Sequence, residues 1–375
     1  MRKVLFIFGT RPEAIKMAPV IRELRRHPDT FTVKVCVTAQ HRSLLDQVLE
    51  VFEIQPEHDL NCMLPGQSLA LSTSRILAAL EPVLQTEQPD VVLVQGDTTT
   101  TLCGALAAFY QGVAIGHIEA GLRTGDLRQP FPEEMNRLLT SRLAGIHFAA
   151  TDWAAGNLRG EGIPTDRIAV TGNTGIDAVL HVRDLLAAGK LKPPVSVPDA
   201  PAGRRLLLVT AHRRESFGPG FERICSALAV LAGRPDVHIV YPVHPNPNVQ
   251  DPVNRHLRNQ ANIQLIEPLD YISFVDLMRR AHILITDSGG VQEEGPSLGK
   301  PILVLRDKTE RPEAVQAGTV RLVGTDQERL RHEVERLLDD QGAYQSMTRV
   351  HNPYGDGHAS ERIAELLRRD GHWQA

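Results

Sequence analysis

Near its start the sequence reads VLFIFGTRPE at residues 4–13, a run of five apolar residues followed at once by a glycine turn. Consecutive apolar residues without polar alternation are typical of a strand that is covered on both faces. Gly9 allows a tight turn, and Pro12 suits the first position of a helix. The stretch therefore predicts a buried parallel strand that leads directly into a helix, and its apolar run is too short for the core of a signal peptide.

The same alternation of short apolar runs and longer amphipathic segments continues along the chain. The predicted strands are rich in β-branched residues and lie at Val4–Phe8, Val33–Val37, Val91–Gln95, Val113–Ile118, Leu206–Thr210, His238–Tyr241, Ile263–Ile266, Ile283–Thr286 and Ile302–Leu305. Helical spacing separates them, for example at Glu13–Arg26, Leu69–Thr86 and Phe221–Ala232. This alternation predicts an α/β protein with two Rossmann-like, doubly wound parallel sheets.

The alternation is interrupted between about residues 187 and 203, where prolines crowd a polar stretch. Such composition is typical of a surface connection near a domain junction, although the hinge could lie somewhat earlier. We therefore predict an N-terminal domain over residues 1–170 and a C-terminal domain over residues 171–355, which face each other across a cleft.

Composition and charge exclude several classes of protein. The chain has 375 residues, 42% of them hydrophobic and 23% charged, which suits two globular domains. Its formal net charge of −4 and scattered basic residues argue against a nucleic-acid partner. No run approaches the roughly 20 apolar residues that span a membrane. The four cysteines lack zinc or disulfide spacing, so we expect a cytoplasmic protein.

Two predicted strand ends carry groups suited to phosphate. Arg11 and Lys16 add positive charge to the turn after the first strand, where backbone amides also point outward. An ordinary turn with a solvated arginine explains that pattern equally well. The second turn is more specific, because Ser288, Gly289 and Gly290 let a hydroxyl and backbone amides approach phosphate oxygens closely.

Glu294 follows the Ser-Gly-Gly turn by about one turn of helix. A carboxylate there would repel phosphate, so we expect it to accept the hydroxyls of a ribose, whereas serine capping and a helix-dipole glutamate are the structural alternative. The sequence has neither the Gly-x-Gly-x-x-Gly nor the Walker motif, so no nicotinamide cofactor or ATP hydrolysis is expected. It has neither His-Glu-x-x-His nor an Asp-x-Asp pair, so no metal site is expected.

Three carboxylates follow strands in the first half of the chain: Asp97 in GDTTT, Glu119 in HIEAGLR and Glu133 in FPEE. Carboxyl ends of parallel strands meet at one sheet edge, so Asp97 and Glu119 should be neighbours within reach of Glu133. Several acids in one pocket suit general acid and base catalysis, although two of them would also serve as helix caps. His212, in HRRE after a later strand, is expected to bind pyrophosphate or steady a departing phosphate.

Together these motifs resemble the non-hydrolysing bacterial UDP-N-acetylglucosamine 2-epimerases. The resemblance runs nearly end to end and keeps the order GTRPEAIK, GDTTT, EAGLRTG, HRRE, DSGG and NPYGDG. It implies a two-domain fold of the glycosyltransferase-B type, in which a C-terminal helix, residues 356–375, packs back on the first domain. It also implies UDP-N-acetylglucosamine and UDP-N-acetylmannosamine as ligands, no cofactor, and a product used for cell-surface polysaccharide. We further expect a homodimer.

The resemblance carries over residue by residue. It implies catalytic roles for Asp97, Glu119 and Glu133 and a catalytic or UDP-binding role for His212. The positions that match nucleotide-binding residues are Arg11, Lys16, Phe274, Ser288, Gly289, Gly290, Glu294 and Arg311. This chain has Leu269 where some members have glutamine near the base, and Gly295 where many have alanine.

Inversion at C2 of such a sugar is difficult because the C2 proton is not beside a carbonyl. Lacking a nicotinamide motif, the enzyme is expected to cleave the C1–O bond while a carboxylate removes the C2 proton. UDP would then return to 2-acetamidoglucal as a proton reaches the opposite face. Proton removal and delivery on opposite faces of C2 require two acid–base groups. The sequence does not show which of the three carboxylates acts on which face.

Three other functions stay open at this point. A retaining glycosyltransferase would share the fold and the UDP site but needs an acceptor. A hydrolysing epimerase would release free N-acetylmannosamine. A sensor would bind the nucleotide sugar without turnover, and the predicted catalytic carboxylates argue against it.

The resemblance also implies a second nucleotide-sugar site. In some bacterial relatives a second UDP-N-acetylglucosamine activates the enzyme by favouring domain closure. The matching positions here are Gln40, His41, Gln67, Arg213 and His244. Bracing of a turn is the alternative role for Gln40 and His41. Ser43 and Gly66 stand where such relatives have glutamine and arginine, so this site is expected to be weaker here.

Overall fold

The computed structural model describes residues 1–38, 42–64, 66–309, 311–349 and 351–369. Contacts within the chain divide it into two compact units. Unit 1 comprises Met1–Ala178 and the segment from Tyr354 onward, and unit 2 comprises Val179–Pro353. The predicted domain limits at residues 170 and 355 stay a prediction.

Unit 1 is built on a parallel sheet covered by helices. Its strands are β1 (Arg2–Phe8), β2 (Phe31–Val37), β3 (His58–Asp59), β4 (Val91–Gln95), β5 (Ala114–Ala120), β6 (Ile146–Ala149) and β7 (Ile168–Val170). The helices that follow these strands are α1 (Arg11–Arg25), α2 (Arg42–Val51), α3 (Leu69–Glu87), α4 (Thr99–Tyr110), α5 (Glu133–Leu143), α6 (Asp152–Gly160) and α7 (Thr174–Ala187), the last of which continues into unit 2.

Unit 2 repeats this architecture. Its strands are β8 (Arg205–Thr210), β9 (Val237–Pro242), β10 (Ile263–Ile266), β11 (Ile283–Thr286), β12 (Ile302–Val304) and β13 (Val320–Leu322). Its helices are α8 (Pro219–Leu231), α9 (Pro247–Leu257), α10 (Tyr271–Arg280), α11 (Gly289–Glu294), α12 (Pro312–Ala317), α13 (Gln327–Asp339) and α14 (Gln341–Thr348). The chain then returns to unit 1 in α15 (Ala359–Arg368).

The strand orders locate the expected ligand sites. The described strands of unit 1 follow the order β3-β2-β1-β4-β5-β6-β7 and those of unit 2 the order β10-β9-β8-β11-β12-β13, with parallel pairings. Each order reverses once, between β1 and β4 and between β8 and β11. Doubly wound sheets bind ligands at the carboxyl ends of the strands beside such a reversal. The turns after β1, β4, β8 and β11 are therefore the expected ligand-binding turns.

The opening stretch folds as its sequence predicts. Residues Val4–Phe8 of β1 are each 0% exposed, which fits a strand covered on both faces. Thr10 caps α1 by accepting a hydrogen bond from the Glu13 amide, and the Glu13 carboxylate accepts one from the Thr10 amide in return. This capping box fixes the turn between β1 and α1.

Helix α15 is anchored within unit 1. Its start is held by the buried Asp177, which accepts hydrogen bonds from the amides of Ala359 (3.2 Å) and Ser360 (2.8 Å) and from the Ser360 hydroxyl (2.6 Å). The helix then packs on α1. Among the described helices, none combines the length and apolar composition needed to cross a membrane.

Candidate active site

Asp97 lies in the turn after β4 and is held by a neighbouring helix. Its Oδ2 atom accepts hydrogen bonds from Arg137 Nε (2.9 Å) and pairs with Arg137 Nη2 (2.6 Å), while Asn136 donates to its backbone carbonyl (2.8 Å). Arg137 is held in turn by the buried Glu134, at 2.8 Å from Nη1. A two-point guanidinium contact fixes the orientation of a carboxylate as well as its position.

Glu119 occupies an unusual backbone conformation at an irregular pairing of β5 with β6. Its φ of +63° lies in the left-handed region, which costs a non-glycine residue on the order of 1–3 kcal/mol. Its Oε2 atom accepts hydrogen bonds from Lys16 Nζ (2.5 Å) and from Gln95 Nε2 (2.6 Å). The structure therefore places Lys16, expected at the nucleotide, against a candidate catalytic carboxylate.

Glu133 begins α5, as its sequence context predicts, and is half-buried. Among the described residues its carboxylate has no hydrogen bond or ion pair. Asn136 and Arg137 follow within one turn and both bind Asp97, so the first turn of α5 is tied to the end of β4. The sheet edge thus gathers two carboxylates held by cations or amides and a third without such partners.

Glu13 links the two turns at this edge. Its buried carboxylate accepts hydrogen bonds from the amides of Gly9 (3.1 Å) and Thr10 (2.8 Å), and from the hydroxyls of Thr98 (2.8 Å) and Thr101 (3.2 Å). Burial raises the pKa of Glu13 above its usual value despite these bonds. Arg11, in the first of the two turns, is half-buried and makes no hydrogen bond or ion pair within the described residues.

In unit 2, the turn after β8 is fixed by a buried carboxylate from the turn after β11. Asp287 Oδ2 accepts hydrogen bonds from the amides of His212 (2.6 Å) and Arg213 (2.7 Å). Its Oδ1 atom lies 3.5 Å from His212 Nδ1. The His212 ring stacks on His244, with centroids 5.4 Å apart and planes inclined by 13°. Burial lowers the pKa of His212, which favours the neutral ring.

The Ser-Gly-Gly turn begins α11 directly after β11. Ser288 occupies the capping position, yet its hydroxyl makes no capping hydrogen bond, so a purely structural capping role does not account for it. Arg311 donates from Nε to Glu293 Oε1 (2.7 Å), and its guanidinium lies against Gly289. A Cβ at Gly289 would come within 2.6 Å of Arg311 Cζ, so this position requires glycine while the arginine stays in place.

Phe274 and Glu294 lie on the elements beside this turn. Phe274 is a half-buried residue of α10, and Glu294 ends α11. Tyr271 begins α10, and burial together with the charge of Glu294 raises the pKa of Tyr271 well above its usual value. Tyr271 is an additional candidate for the site around this turn that the sequence motifs do not indicate.

The residues predicted to form the second nucleotide-sugar site fall in several places. Arg213 and His244 lie in unit 2 beside His212. Gln67 lies in unit 1, where its Nε2 donates to the Cys62 carbonyl (3.1 Å). Gln40 and His41 lie outside the described residues. In the part of the chain that the structure describes, no cluster of three or more histidine, cysteine or acidic residues could hold a metal ion.

Known proteins are similar to this chain over nearly its whole length. The family model described as UDP-N-acetylglucosamine 2-epimerase matches residues 22–368. The UDP-N-acetylglucosamine 2-epimerase of Escherichia coli K12 is 58% identical over 372 residues, which cover 98% of this chain and 99% of that protein. The chain belongs to the UDP-N-acetylglucosamine 2-epimerase family. The family predicted from the motifs is thereby confirmed, and with it the enzyme class, an isomerase.

Solved structures of this epimerase family share the fold. The UDP-GlcNAc 2-epimerase from Neisseria meningitidis, bound to UDP-GlcNAc, is 49% identical and aligns with a TM-score of 0.86 over 97% of this chain and 99% of its own. A putative UDP-N-acetylglucosamine 2-epimerase from Listeria monocytogenes is 46% identical, with a TM-score of 0.90 over 98% of this chain and 95% of its own. The predicted class of two parallel-sheet α/β domains is confirmed.

Within this epimerase the sequence motifs did not reveal the residues that hold the candidate catalytic groups. Arg137, Gln95 and Asp287 each contact a candidate residue far away in sequence. For Asp287 the sequence did contain a signal, since it lies inside the conspicuous DSGG motif. For Gln95 the signal was weaker, a single polar residue at the end of an apolar strand.

Proposed function

We propose that this protein interconverts UDP-N-acetylglucosamine and UDP-N-acetylmannosamine in the cytoplasm by eliminating UDP and adding it back. The observation that carries this proposal is the pair of oriented carboxylates in unit 1, Asp97 held by Arg137 and Glu119 held by Lys16 and Gln95. Acid–base groups held in one orientation are suited to moving a proton at carbon. Family membership supports the nucleotide sugar as substrate.

In this proposal the three carboxylates act on the sugar. One of them removes the C2 proton as the C1–O bond breaks, which leaves 2-acetamidoglucal and UDP. Another delivers a proton to the opposite face of C2 as UDP adds back to C1. Lys16 then serves as a positioning residue for Glu119, and Arg137 does the same for Asp97. The absence of partners in the described chain leaves Glu133 free to exchange its proton.

The nucleotide half of the substrate is assigned to the groups around the Ser-Gly-Gly turn and to Arg11. The uncommitted Ser288 hydroxyl, the amides of Gly289 and Gly290 and the Arg311 guanidinium supply hydrogen-bond donors suited to phosphate oxygens. Phe274 and Glu294 would contact the nucleoside. His212, neutral and held by Asp287, would donate a hydrogen bond to the departing diphosphate.

Incubation with UDP-N-acetylglucosamine alone in heavy water tests this proposal. We expect a second nucleotide sugar, with deuterium at C2 of both epimers, because elimination exchanges that proton with solvent. Product without deuterium would contradict elimination. Release of free N-acetylmannosamine would indicate a hydrolysing enzyme, and no second nucleotide sugar would indicate a glycosyltransferase or a sensor. We propose that the product supplies N-acetylmannosamine units for cell-surface polysaccharide.

We also propose that UDP-N-acetylglucosamine activates its own conversion through Gln40, His41, Gln67, Arg213 and His244. The stacking of His244 on His212 supports this, because a ligand that binds His244 would touch the neighbour of a candidate catalytic group. UDP-N-acetylmannosamine alone should be converted slowly until a trace of the other epimer is added. His244→Ala should reduce this stimulation more than His332→Ala, which changes an exposed histidine of unit 2. Full reverse turnover without a lag would contradict activation.

A homodimer through α4 and α5 is proposed as well. These helices pack on each other, and both expose large apolar side chains, Phe109 and Tyr110 on α4 and Met135 and Leu139 on α5. Such a patch suits a second copy of the chain. Light scattering should give the mass of two chains, and Leu139→Glu should shift it toward one. Val230→Glu, at an exposed apolar residue of unit 2, is the matched control.

A further inference from the structure

A cavity of about 300 Å³ opens in unit 2 at the edge of the sheet opposite to His212 and Ser288. Its lining includes Arg204, Arg205 and His282 at the amino ends of β8 and β11, and Lys300 just before β12. Strand β8 runs from Arg205 to Thr210, so this edge lies roughly 16 Å from the carboxyl edge at about 3.3 Å per residue. The cavity is therefore separate from the candidate nucleotide site.

Two of the cations that line the cavity are already neutralised. Arg205 pairs with Asp236 and donates to the Leu338 carbonyl at the end of α13. Arg280 pairs with Asp276 and Asp199, at 2.8 Å each. These two arginines have structural roles, since they bind carboxylates and close a helix end.

The other two cations are not neutralised. Arg204 donates to the neutral side chain of Asn262, and neither Arg204 nor Lys300 has a carboxylate partner within the described residues. Lys300 is half-buried, and burial together with Arg279 lowers its pKa. An ammonium group partly removed from water without a counter-charge is costly, so it favours a bound anion.

One wall of the cavity is flat and uncharged. The ring of His282 stacks on Tyr344, with centroids 4.3 Å apart and planes inclined by 11°. Burial, with the neighbouring Arg205 and Lys300, lowers the pKa of His282 to about 4, so its ring is neutral at pH 7. This wall offers an apolar surface beside the two uncompensated cations.

We propose that this cavity binds a dianionic phosphate group, either as inorganic phosphate or as the monoester of a small metabolite. A phosphate monoester carries a charge of about −1.5 to −2 at pH 7, which matches the two uncompensated cations, Arg204 and Lys300. A guanidinium and an ammonium group are the usual donors to phosphate oxygens. The cavity volume is at the lower limit for small-molecule sites, which suits a ligand no larger than a sugar phosphate.

Titration calorimetry with inorganic phosphate, glucose 6-phosphate and neutral glucose tests the proposal, with UDP in excess in every sample. We expect both phosphates to bind and glucose not to bind. Lys300→Gln and Arg204→Gln should each weaken binding at least tenfold, whereas Lys192→Gln, at an exposed lysine of the same unit, should not. Tighter binding of glucose 6-phosphate would identify a monoester site, tighter binding of inorganic phosphate would identify an inorganic phosphate site, and equal binding would show that the site recognises only the phosphate group.

Acetylation of the unchanged protein provides a second measurement that does not depend on the folding of a variant. Peptide mass spectrometry would follow Lys300 and Lys192 at pH 8, with and without glucose 6-phosphate. We expect glucose 6-phosphate to slow acetylation of Lys300 at least fivefold and to leave Lys192 unchanged, while UDP protects neither. Absence of both binding heat and protection, or binding that Lys300→Gln does not weaken, would overturn the proposal.

Discussion

Replacing Gly289 by alanine isolates the contribution of Arg311 to nucleotide binding. The added Cβ would lie 2.6 Å from Arg311 Cζ and 2.7 Å from both terminal nitrogens, well inside ordinary contact distance. The guanidinium must therefore move by about 1 Å to restore a normal contact. A shift of that size also stretches the 2.7 Å hydrogen bond from Arg311 Nε to Glu293 beyond hydrogen-bond length.

The expected loss of UDP affinity follows from the hydrogen bond that Arg311 would donate to a phosphate oxygen. A hydrogen bond to a charged group contributes about 1.5–3 kcal/mol. If Arg311 binds a phosphate oxygen, Gly289→Ala should therefore raise the UDP dissociation constant about 10- to 150-fold. Titration calorimetry with UDP would measure this for four proteins: the unchanged chain, Gly289→Ala, Arg311→Ala and the double variant.

The double variant shows whether the loss of UDP affinity in Gly289→Ala depends on Arg311. The three atoms nearest to the added methyl group all belong to Arg311, so the double variant should match Arg311→Ala within about 0.5 kcal/mol. Additive losses would refute the reasoning, because they would show that the methyl group acts on UDP directly. Gly290→Ala is the control for the fold: its Cβ would lie 4.0 Å from the nearest neighbour, Ser288 Oγ, so its unfolding free energy should not fall.

Three further variants test other parts of the site and fold. Arg137→Lys keeps the charge but not the two-point contact with Asp97, so kcat should fall about tenfold with UDP affinity unchanged; an unchanged kcat would contradict the positioning role. Burial lowers the pKa of His147 from 6.5 to about 4, so the unfolded chain binds a proton that the folded chain excludes, and stability falls as pH drops through that window. His147 should account for about 2 kcal/mol of lost stability between pH 7 and 5, and urea unfolding of His147→Phe should show a correspondingly flatter dependence on pH. Asp287→Asn removes the charge that raises the pKa of His212, so the His212 NMR titration should move to lower pH; an unmoved titration would contradict their coupling.

The regular elements could be predicted where the signal is local. Strands β4, β10 and β11 have the predicted bounds, because each is a short, mainly apolar run bounded by polar or glycine residues. The start of α1 was predicted to within two residues, because helical spacing begins at Glu13 and Pro12 suits the first helical position, whereas the helix begins at Arg11. The short strands β3, β6, β7 and β13 were not predicted, since two to four residues carry too little period and only pairing with a neighbouring strand makes them strands.

The candidate site was predictable only in part. Motifs at strand ends indicated Asp97, Glu119 and the Ser-Gly-Gly turn, because a doubly wound sheet brings the carboxyl ends of its strands to one edge. The partners of those groups were not predictable. Arg137 follows Asp97 by 40 residues, and Lys16 precedes Glu119 by 103 residues. No pattern along the chain links such distant positions.

By itself, the sequence determined the family, the α/β class and the chemical types of the candidate groups, because these depend on periodicity and on short motifs. Only the tertiary structure decided which charges meet. In the structure Lys16 donates a hydrogen bond to Glu119, and the His212 amide donates one to Asp287. Arg204 and Lys300 line a cavity that contains none of the sequence motifs. The physical reason is range: a hydrogen bond or ion pair requires atoms within about 3–4 Å, and side chains from distant segments reach that distance only when helices pack on the sheets.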